Sequence, residues 1–153
     1  MAELHTVDAS VFLNAFNDTE FGHEGSVAFF ERLRSIAAPM LEPTLLLPEV
    51  AATIARGYTD AVLARSLVSA IAHLPNLILV SLDRELAEQA SDIAATFRLR
   101  GSDAVYVAVA LRFNTDLVTR DREQRERVAG AVRALTPEEA LSQSVGSDLT
   151  NDP

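Results

Sequence analysis

Short apolar segments of strand length alternate along this chain with stretches whose apolar residues recur every three to four positions. Strands are predicted at residues 4–7, 40–41, 77–82, 116–119 and 132–135. Ala9–Phe16 has helical spacing at Val11, Phe12, Ala15 and Phe16, and Asn17-Asp18-Thr19-Glu20 ends it. Residues 24–38 predict a second amphipathic helix with Val27, Phe30, Leu33 and Ile36 on its inner stripe, and Pro43 cuts off the strand that follows. A helix carrying Glu49 then runs to about Tyr58, with Pro48 in its first turn, where a missing N–H costs little. Thr59-Asp60 reads as the cap of a helix ending near His73, ahead of Pro75. Arg84–Phe97, residues 102–113 and the short charged Arg122–Val128 are further helices, and Thr136 caps a final turn with Pro137 in first helical position.

Strands that alternate with helices predict an α/β fold in three layers: a central, mostly parallel sheet with helices on both faces. Residues 1–141 are expected to form one domain, with no internal repeat and no linker dividing them. From Ser142 onward, SQSVGSDLTNDP has no periodicity, so residues 142–153 are expected to be a disordered tail.

Composition removes several kinds of chemistry. With no cysteine among its 153 residues, the chain has no disulfide, thiolate metal site or cysteine nucleophile. All 13 basic residues are arginine, so a P-loop lysine, a Schiff-base lysine and the lysine of receiver-type phosphoryl sites are also excluded. The longest unbroken apolar run, residues 104–111, is too short to span a membrane, and MAELHTVDAS lacks a signal-peptide pattern. A cytoplasmic protein is expected. The net charge of −9 argues against nonspecific coating by nucleic acid, but it is uneven. Residues 98–133 carry eight arginines against five acids, a local balance of +3.

Four acids stand where a predicted strand or loop hands over to a helix or turn: Asp8, Glu49, Asp103 and Asp121. Each alone has a structural explanation, because a carboxylate in a first helical turn meets free N–H groups and the positive end of the helix dipole. Jointly they say more. In an open parallel sheet, ligands bind beyond the carboxyl ends of the strands, where such residues converge. Carboxylates gathered there repel one another unless a cation lies between them, and an all-oxygen set suits Mg²⁺ or Mn²⁺. The histidines His5, His23 and His73 are scattered without ligand spacing.

The stretches VDASVFLNAF, LLLPEVAATIAR, RLRGSDAVYVAVA and DLVTRD resemble those of the PIN-domain superfamily, and within it the small VapC-type ribonuclease toxins. The resemblance covers residues 4–136 in order and spacing. It implies an endoribonuclease with Asp8, Glu49, Asp103 and Asp121 as metal-site acids and Mg²⁺ or Mn²⁺ as cofactor. Asp8 and Asp103 would be the firmest ligands, with Asp121 and Glu49 binding directly or through water. Thr119 falls on the family's hydroxyl position and would orient a ligand or the attacking water; Ser10 falls on its small polar position. The resemblance also implies an RNA substrate, an antitoxin partner and a homodimer.

Arg98, Arg100, Arg120, Arg122 and Arg125 flank these acids and are candidates to hold the RNA backbone. A solvated helix laced by Arg122–Glu126 and Glu123–Arg127 pairs is the competing reading of residues 122–127. Few aromatic residues are present to read bases by stacking. Two other functions stay open. A phosphatase using Asp8 as nucleophile would want a second Asp where Ser10 stands and a supporting lysine. A non-catalytic RNA-binding or protein-interaction module of the same fold would not need all four acids.

Overall fold

A computed structural model describes residues 3–148. Its five strands are β1 (His5–Val7), β2 (Met40–Pro43), β3 (Leu77–Val80), β4 (Asp116–Val118) and β5 (Ala134–Leu135). The helices are α1 (Ala9–Phe16), α2 (His23–Ser35), α3 (Leu46–Tyr58), α4 (Ala61–Ala72), α5 (Arg84–Phe97), α6 (Gly101–Phe113), α7 (Arg122–Val128) and α8 (Pro137–Asp148). All strand pairs are parallel, in the order β3-β2-β1-β4-β5.

The chain therefore starts in the middle of the sheet, moves outward through β2 to β3, then returns to the other side of β1 for β4 and β5. Right-handed crossovers travelling in opposite directions place their helices on opposite faces. One layer holds α1 to α4, with α8 against α2; the other holds α5, α6 and α7. The order reverses between β1 and β4, which opens a crevice at their carboxyl ends. α6 lies across β1, β2 and β4 and is buried without a break from Asp103 to Ala110. This fits the apolar, near-featureless sequence of that helix.

Local chemistry sets the helix starts. Asp60 and Asp83 cap α4 and α5 by accepting from Leu63 N at 2.9 Å and Leu86 N at 2.8 Å. Thr136 and Glu139 form a reciprocal capping box at α8, at 2.9 and 3.1 Å, with Pro137 as its first residue. No helix is long and apolar enough to cross a membrane, among the described residues.

Three expectations shift. The buried stripe of α2 is Ser26, Phe29 and Leu33, not Val27, Phe30 and Ile36 together with Leu33. Ser26 is polar but fully buried, since its hydroxyl donates to Asn14 Oδ1 at 2.7 Å, so apolar periodicity alone misses the stripe. Val27 and Phe30 instead line an apolar groove of about 610 Å³ with Phe12, Phe16, Met40, Leu67, Ile71 and Leu74. Pro43 does not cut β2 short but is its last residue, in register with Val80. The helix α8 continues through residues 142–148, where a tail is predicted; residues 149–153 lie outside the described residues.

Arg120 holds the α2–α8 side together. Its guanidinium donates to Ser26 Oγ at 2.8 and 3.0 Å, to Gly22 O at 2.5 Å and to Glu138 Oε2 at 2.8 Å. Gly22 sits at φ +81°, and a Cβ there would come within 2.8 Å of the Arg120 guanidinium. Arg120→Ala should lower stability by roughly 2 kcal/mol, mainly through the charged hydrogen bonds to buried partners, since the half-exposed Glu138 pair is screened. Thermal denaturation checks this. An unchanged melting temperature with weakened RNA binding would instead assign Arg120 to the ligand.

Candidate active site

The carboxyl ends of β1 and β4 carry the first pair of acids. Asp8 follows Val7 and caps α1, its Oδ2 accepting from Ser10 N at 2.9 Å. The ladder continues one step beyond the strands through Asp8 N to Val118 O at 2.9 Å, which keeps the two strand ends abreast. Asp121 leaves β4 two residues after Thr119 and caps α7, its Oδ1 accepting from Gln124 N at 3.1 Å. Thr119 is fully buried, and its hydroxyl accepts from Asp121 N at 3.1 Å and lies 3.4 Å from Ser10 Oγ. Ser10 Oγ in turn accepts from Arg120 N at 3.1 Å. These two hydroxyls cross-link the strand ends and fix where Asp8 and Asp121 leave the sheet.

Helices bring the other two. Asp103, in the first turn of α6, is 9% exposed and accepts from Arg100 Nε at 2.9 Å. Glu49, in the first turn of α3, accepts from the Tyr106 hydroxyl at 2.6 Å. Tyr106 lies one turn after Asp103 on the same face of α6, which ties Glu49 to the helix carrying Asp103. Burial raises the Tyr106 pKa first, and the charge of and hydrogen bond to Glu49 add to it, so the phenol remains a donor.

The acids feel one another. Asp8 is pushed up to about 6, chiefly by burial, with its Ser10 hydrogen bonds opposing and the charges of Asp103 and Glu49 adding to the rise. One cation reaches into the group. Arg100 donates from Nε to Asp103 and from a terminal nitrogen to Asp121 Oδ2 at 3.0 Å, forking across both. Its pKa is raised by Asp103 first, with Asp121 and Asp8 also contributing. Arg98, Leu99, Arg100, Asp103, Asp121, Glu123, Gln124 and Arg127 surround a cleft of about 240 Å³.

All four acids thus arrive at one end of the sheet, where Asp103 and Asp121 share Arg100 while Asp8 and Glu49 turn to Ser10 N and the Tyr106 hydroxyl. No group of three or more acidic or histidine side chains is set to enclose a metal ion, among the described residues. The donor set nevertheless fits a hard divalent cation: every donor is oxygen, and a positive group already lies between two of the acids. Asp8, Glu49, Asp103 and Asp121 are the residues that could hold one.

The arginines divide. Arg100 is spent on the acids and Arg120 within the fold. Arg125 donates to Thr119 O at 2.9 Å, and Arg122 pairs with Glu126 at 2.6 Å. Arg127 pairs with Glu123 and also donates to Arg98 O, while the Arg98 side chain is exposed. The lacing foreseen for α7 is therefore present. The histidines stay apart: His5 is buried edge-on against Phe29 at 5.4 Å, and His23 and His73 bond to Asn14 O and Ser69 O.

A comparison with protein families matches the PIN domain over residues 6–130. The chain belongs to the PIN-domain family. No curated protein matches it in sequence. Solved structures share the fold of this PIN domain. VapC20 of Mycobacterium tuberculosis, described as a sarcin-ricin loop cleaving toxin, aligns over 85% of this chain and 96% of its own at 17% identity and a TM-score of 0.66. The protein PAE2754 of Pyrobaculum aerophilum aligns over 95% and 90% at 18% identity and a TM-score of 0.68. The promoter-bound VapBC2 complex of Rickettsia felis aligns over 86% and 98% at 12% identity and a TM-score of 0.65.

Sequence reasoning missed three residues of this PIN-domain site. Tyr106 was hidden in an apolar run, though its spacing of three from Asp103 was a signal. Gln124 is almost fully buried and donates to Asp103 O at 3.3 Å. Glu42 is the least expected: fully buried in β2, it accepts from Val7 N at 2.5 Å through Oε1. That N–H belongs to the ladder between β1 and β2, whose register is formed only at His5–Met40, so Glu42 fills the gap where the two strands part. Its Oε2 has no hydrogen-bond partner. Nothing in the sequence separates Glu42 from an ordinary surface glutamate.

Burial pushes the Glu42 carboxyl well up, with the Val7 hydrogen bond opposing and the charge of Asp8 adding to the rise. The native state then keeps a proton that the unfolded chain releases, so stability falls as pH climbs above the ordinary glutamate value of 4.5. Asp8 acts with the same sign between its ordinary 3.8 and about 6. Glu42→Gln should therefore leave the melting temperature near wild type at pH 4 and raise it progressively towards pH 8, each kcal/mol recovered adding about 2–4 °C. A pH-independent difference between the two proteins would show that Glu42 ionises freely.

Proposed function

We propose that this PIN domain is a divalent-metal-dependent endoribonuclease, the toxin of a toxin–antitoxin pair, working in the cytoplasm. The observation that carries the reading is the delivery of Asp8, Glu49, Asp103 and Asp121, from four separate elements, to the crevice where the strand order reverses. Two of them are buried there, and the electrostatic coupling of Asp8 to Asp103 and Glu49 puts them within one field. A bound Mg²⁺ or Mn²⁺ supplies a hydroxide near neutral pH and stabilises charge on the leaving oxygen.

The protein's own groups do the rest. Asp8 and Asp103 would be the principal residues holding the metal, with Asp121 and Glu49 assisting directly or through water. Thr119 and Ser10 hold Asp8 and Asp121 at their strand ends, and Tyr106 sets the rotamer of Glu49. In the reaction, a water oxygen bonds to phosphorus as the bond to the leaving ribose oxygen breaks. Arg98, Arg122 and Arg125 lie beside the acids and would hold flanking phosphates. The Arg98 side chain is exposed, and the exposed Arg122–Glu126 pair can exchange for phosphate at little cost. Arg100 would join them once free of the acids.

The antitoxin has a place to sit. Toxin–antitoxin complexes are among the solved structures that share this fold. The apolar groove between α1, α2, β2 and α4 leaves Val27 and Phe30 only partly covered, as expected of a surface awaiting an amphipathic segment. Homodimer formation belongs to the same proposal, with Ile78, Leu79 and Leu82 exposed along the β3 edge. A non-catalytic module is the second reading, favoured by Arg100 taking the place between Asp103 and Asp121.

Cleavage of a labelled RNA pool with and without Mn²⁺ decides. Wild type should cut only with metal, and Asp8→Asn or Asp103→Asn should each reduce cutting by at least about a hundredfold with little change in melting temperature. Cleavage by Asp8→Asn that is undiminished in EDTA would sink the metal-dependent reading. No cleavage by wild type on any RNA would select the non-catalytic module.

A further inference from the structure

We propose that Arg100 is a tethered counter-cation which a divalent metal must displace from Asp103 and Asp121, so that this one side chain sets the metal affinity of the site. The proposal rests on the metal-dependent reading above and adds to it the competitor.

The competition is for the same atoms. Asp121 Oδ1 already accepts from Gln124 N, so the oxygen held by Arg100, Oδ2, is the one left for a metal. At Asp103, Arg100 likewise holds Oδ2. A guanidinium presents its donors in a planar fork, and here the fork spans two carboxylates from different elements, α6 and the β4–α7 junction. It also stays charged at any working pH.

The exchange is physically easy. The Arg100 side chain is 76% exposed, whereas those of Asp103 and Asp121 are 12% and 26% exposed. The acids are held in place by the fold and need a positive partner, but the arginine can swing into solvent without disturbing anything packed. Its position favours this: Arg100 precedes α6 in an extended conformation, φ −62° and ψ 150°, outside the helix. Exposed ion pairs are individually weak and are broken readily. A dication carries twice the charge and approaches oxygen at about 2.0–2.2 Å, well inside the distance of a hydrogen bond. Once released, Arg100 stands at the rim of the cleft shared with Arg98 and Arg127, where a phosphate is the natural replacement partner. Metal loading and phosphate binding are then linked, each favouring the other.

Isothermal titration of Mn²⁺ into the full chain, near neutral pH and without RNA, tests the proposal with no reference to catalysis. Four proteins are compared: wild type, Arg100→Gln, Arg100→Lys and Arg84→Gln. Arg84 pairs with Glu88 on α5 and controls for the loss of one positive charge. Arg100→Gln should bind Mn²⁺ about three- to thirty-fold tighter than wild type, the worth of one exposed and one partly buried ion pair no longer broken. Arg100→Lys, whose ammonium cannot fork, should fall between them, and Arg84→Gln should stay close to wild type. With EDTA present, Arg100→Gln should also melt below wild type, because Asp103 and Asp121 lose their counter-charge. Equal or weaker Mn²⁺ binding by Arg100→Gln overturns the proposal while leaving the metal site standing. If no protein binds Mn²⁺, the metal reading falls, and this proposal with it. Should Arg100→Gln fail to fold, Arg100→Lys decides by the same comparison: tighter than wild type supports, equal or weaker overturns.

Discussion

Like charge gathered at one end of a parallel sheet is the constraint on which the rest of this molecule depends. Parallel strands all finish on the same side, so Asp8 after β1 and Asp121 after β4 arrive together whether or not they repel. α6 adds Asp103, α3 adds Glu49, and β2 places Glu42 beneath them. The fold answers in three ways. It supplies hydrogen bonds from Ser10 N, Gln124 N and the Tyr106 hydroxyl, it leaves Glu42 and Asp8 with raised pKa values, and it admits one guanidinium.

The absence of lysine gives that answer its form. A lysine at position 100 would act as a point charge on one carboxylate; arginine spans two. The same property recurs at Arg120, whose guanidinium satisfies Ser26, Gly22 and Glu138 at once and joins α2 to α8. Two arginines separated by α6 and β4 thus do opposite work. Arg120 is only 18% exposed on its side chain and is part of the frame, whereas Arg100 is exposed and exchangeable. Position along the chain does not distinguish them. Burial does.

What the sequence disclosed follows the same line. Residues whose role depends on local chemistry were legible: Asp60 and Thr136 as caps, the bounds of α1, α5 and α7, and the strand-end places of Asp8 and Asp121. The PIN-domain family was legible too, from the stretches around Asp8, Glu49, Asp103 and Asp121. Residues whose role depends on contacts across many positions were not. Ser26 looks like a surface serine until Asn14 and Arg120 meet it, and Glu42 looks solvated until the β1–β2 gap closes over it. Arg100 read as a phosphate ligand because spacing cannot show that a side chain reaches three residues forward onto Asp103. Hydrophobic period also misplaced the α2 stripe, since a satisfied polar residue can occupy a core position at little cost.

Melting temperature with and without Mn²⁺, measured at pH 5 and pH 8, tests most directly whether these acids form one charged site. Asp8, pushed up to about 6, is largely protonated at the lower pH and ionised at the higher. Metal binds the ionised form and stabilises only the folded chain, in which the acids are assembled. Mn²⁺ should therefore raise the melting temperature at both pH values, and by more at pH 8 than at pH 5. A melting temperature indifferent to Mn²⁺ at pH 8 would contradict the account and leave the four carboxylates with only structural roles at their helix starts.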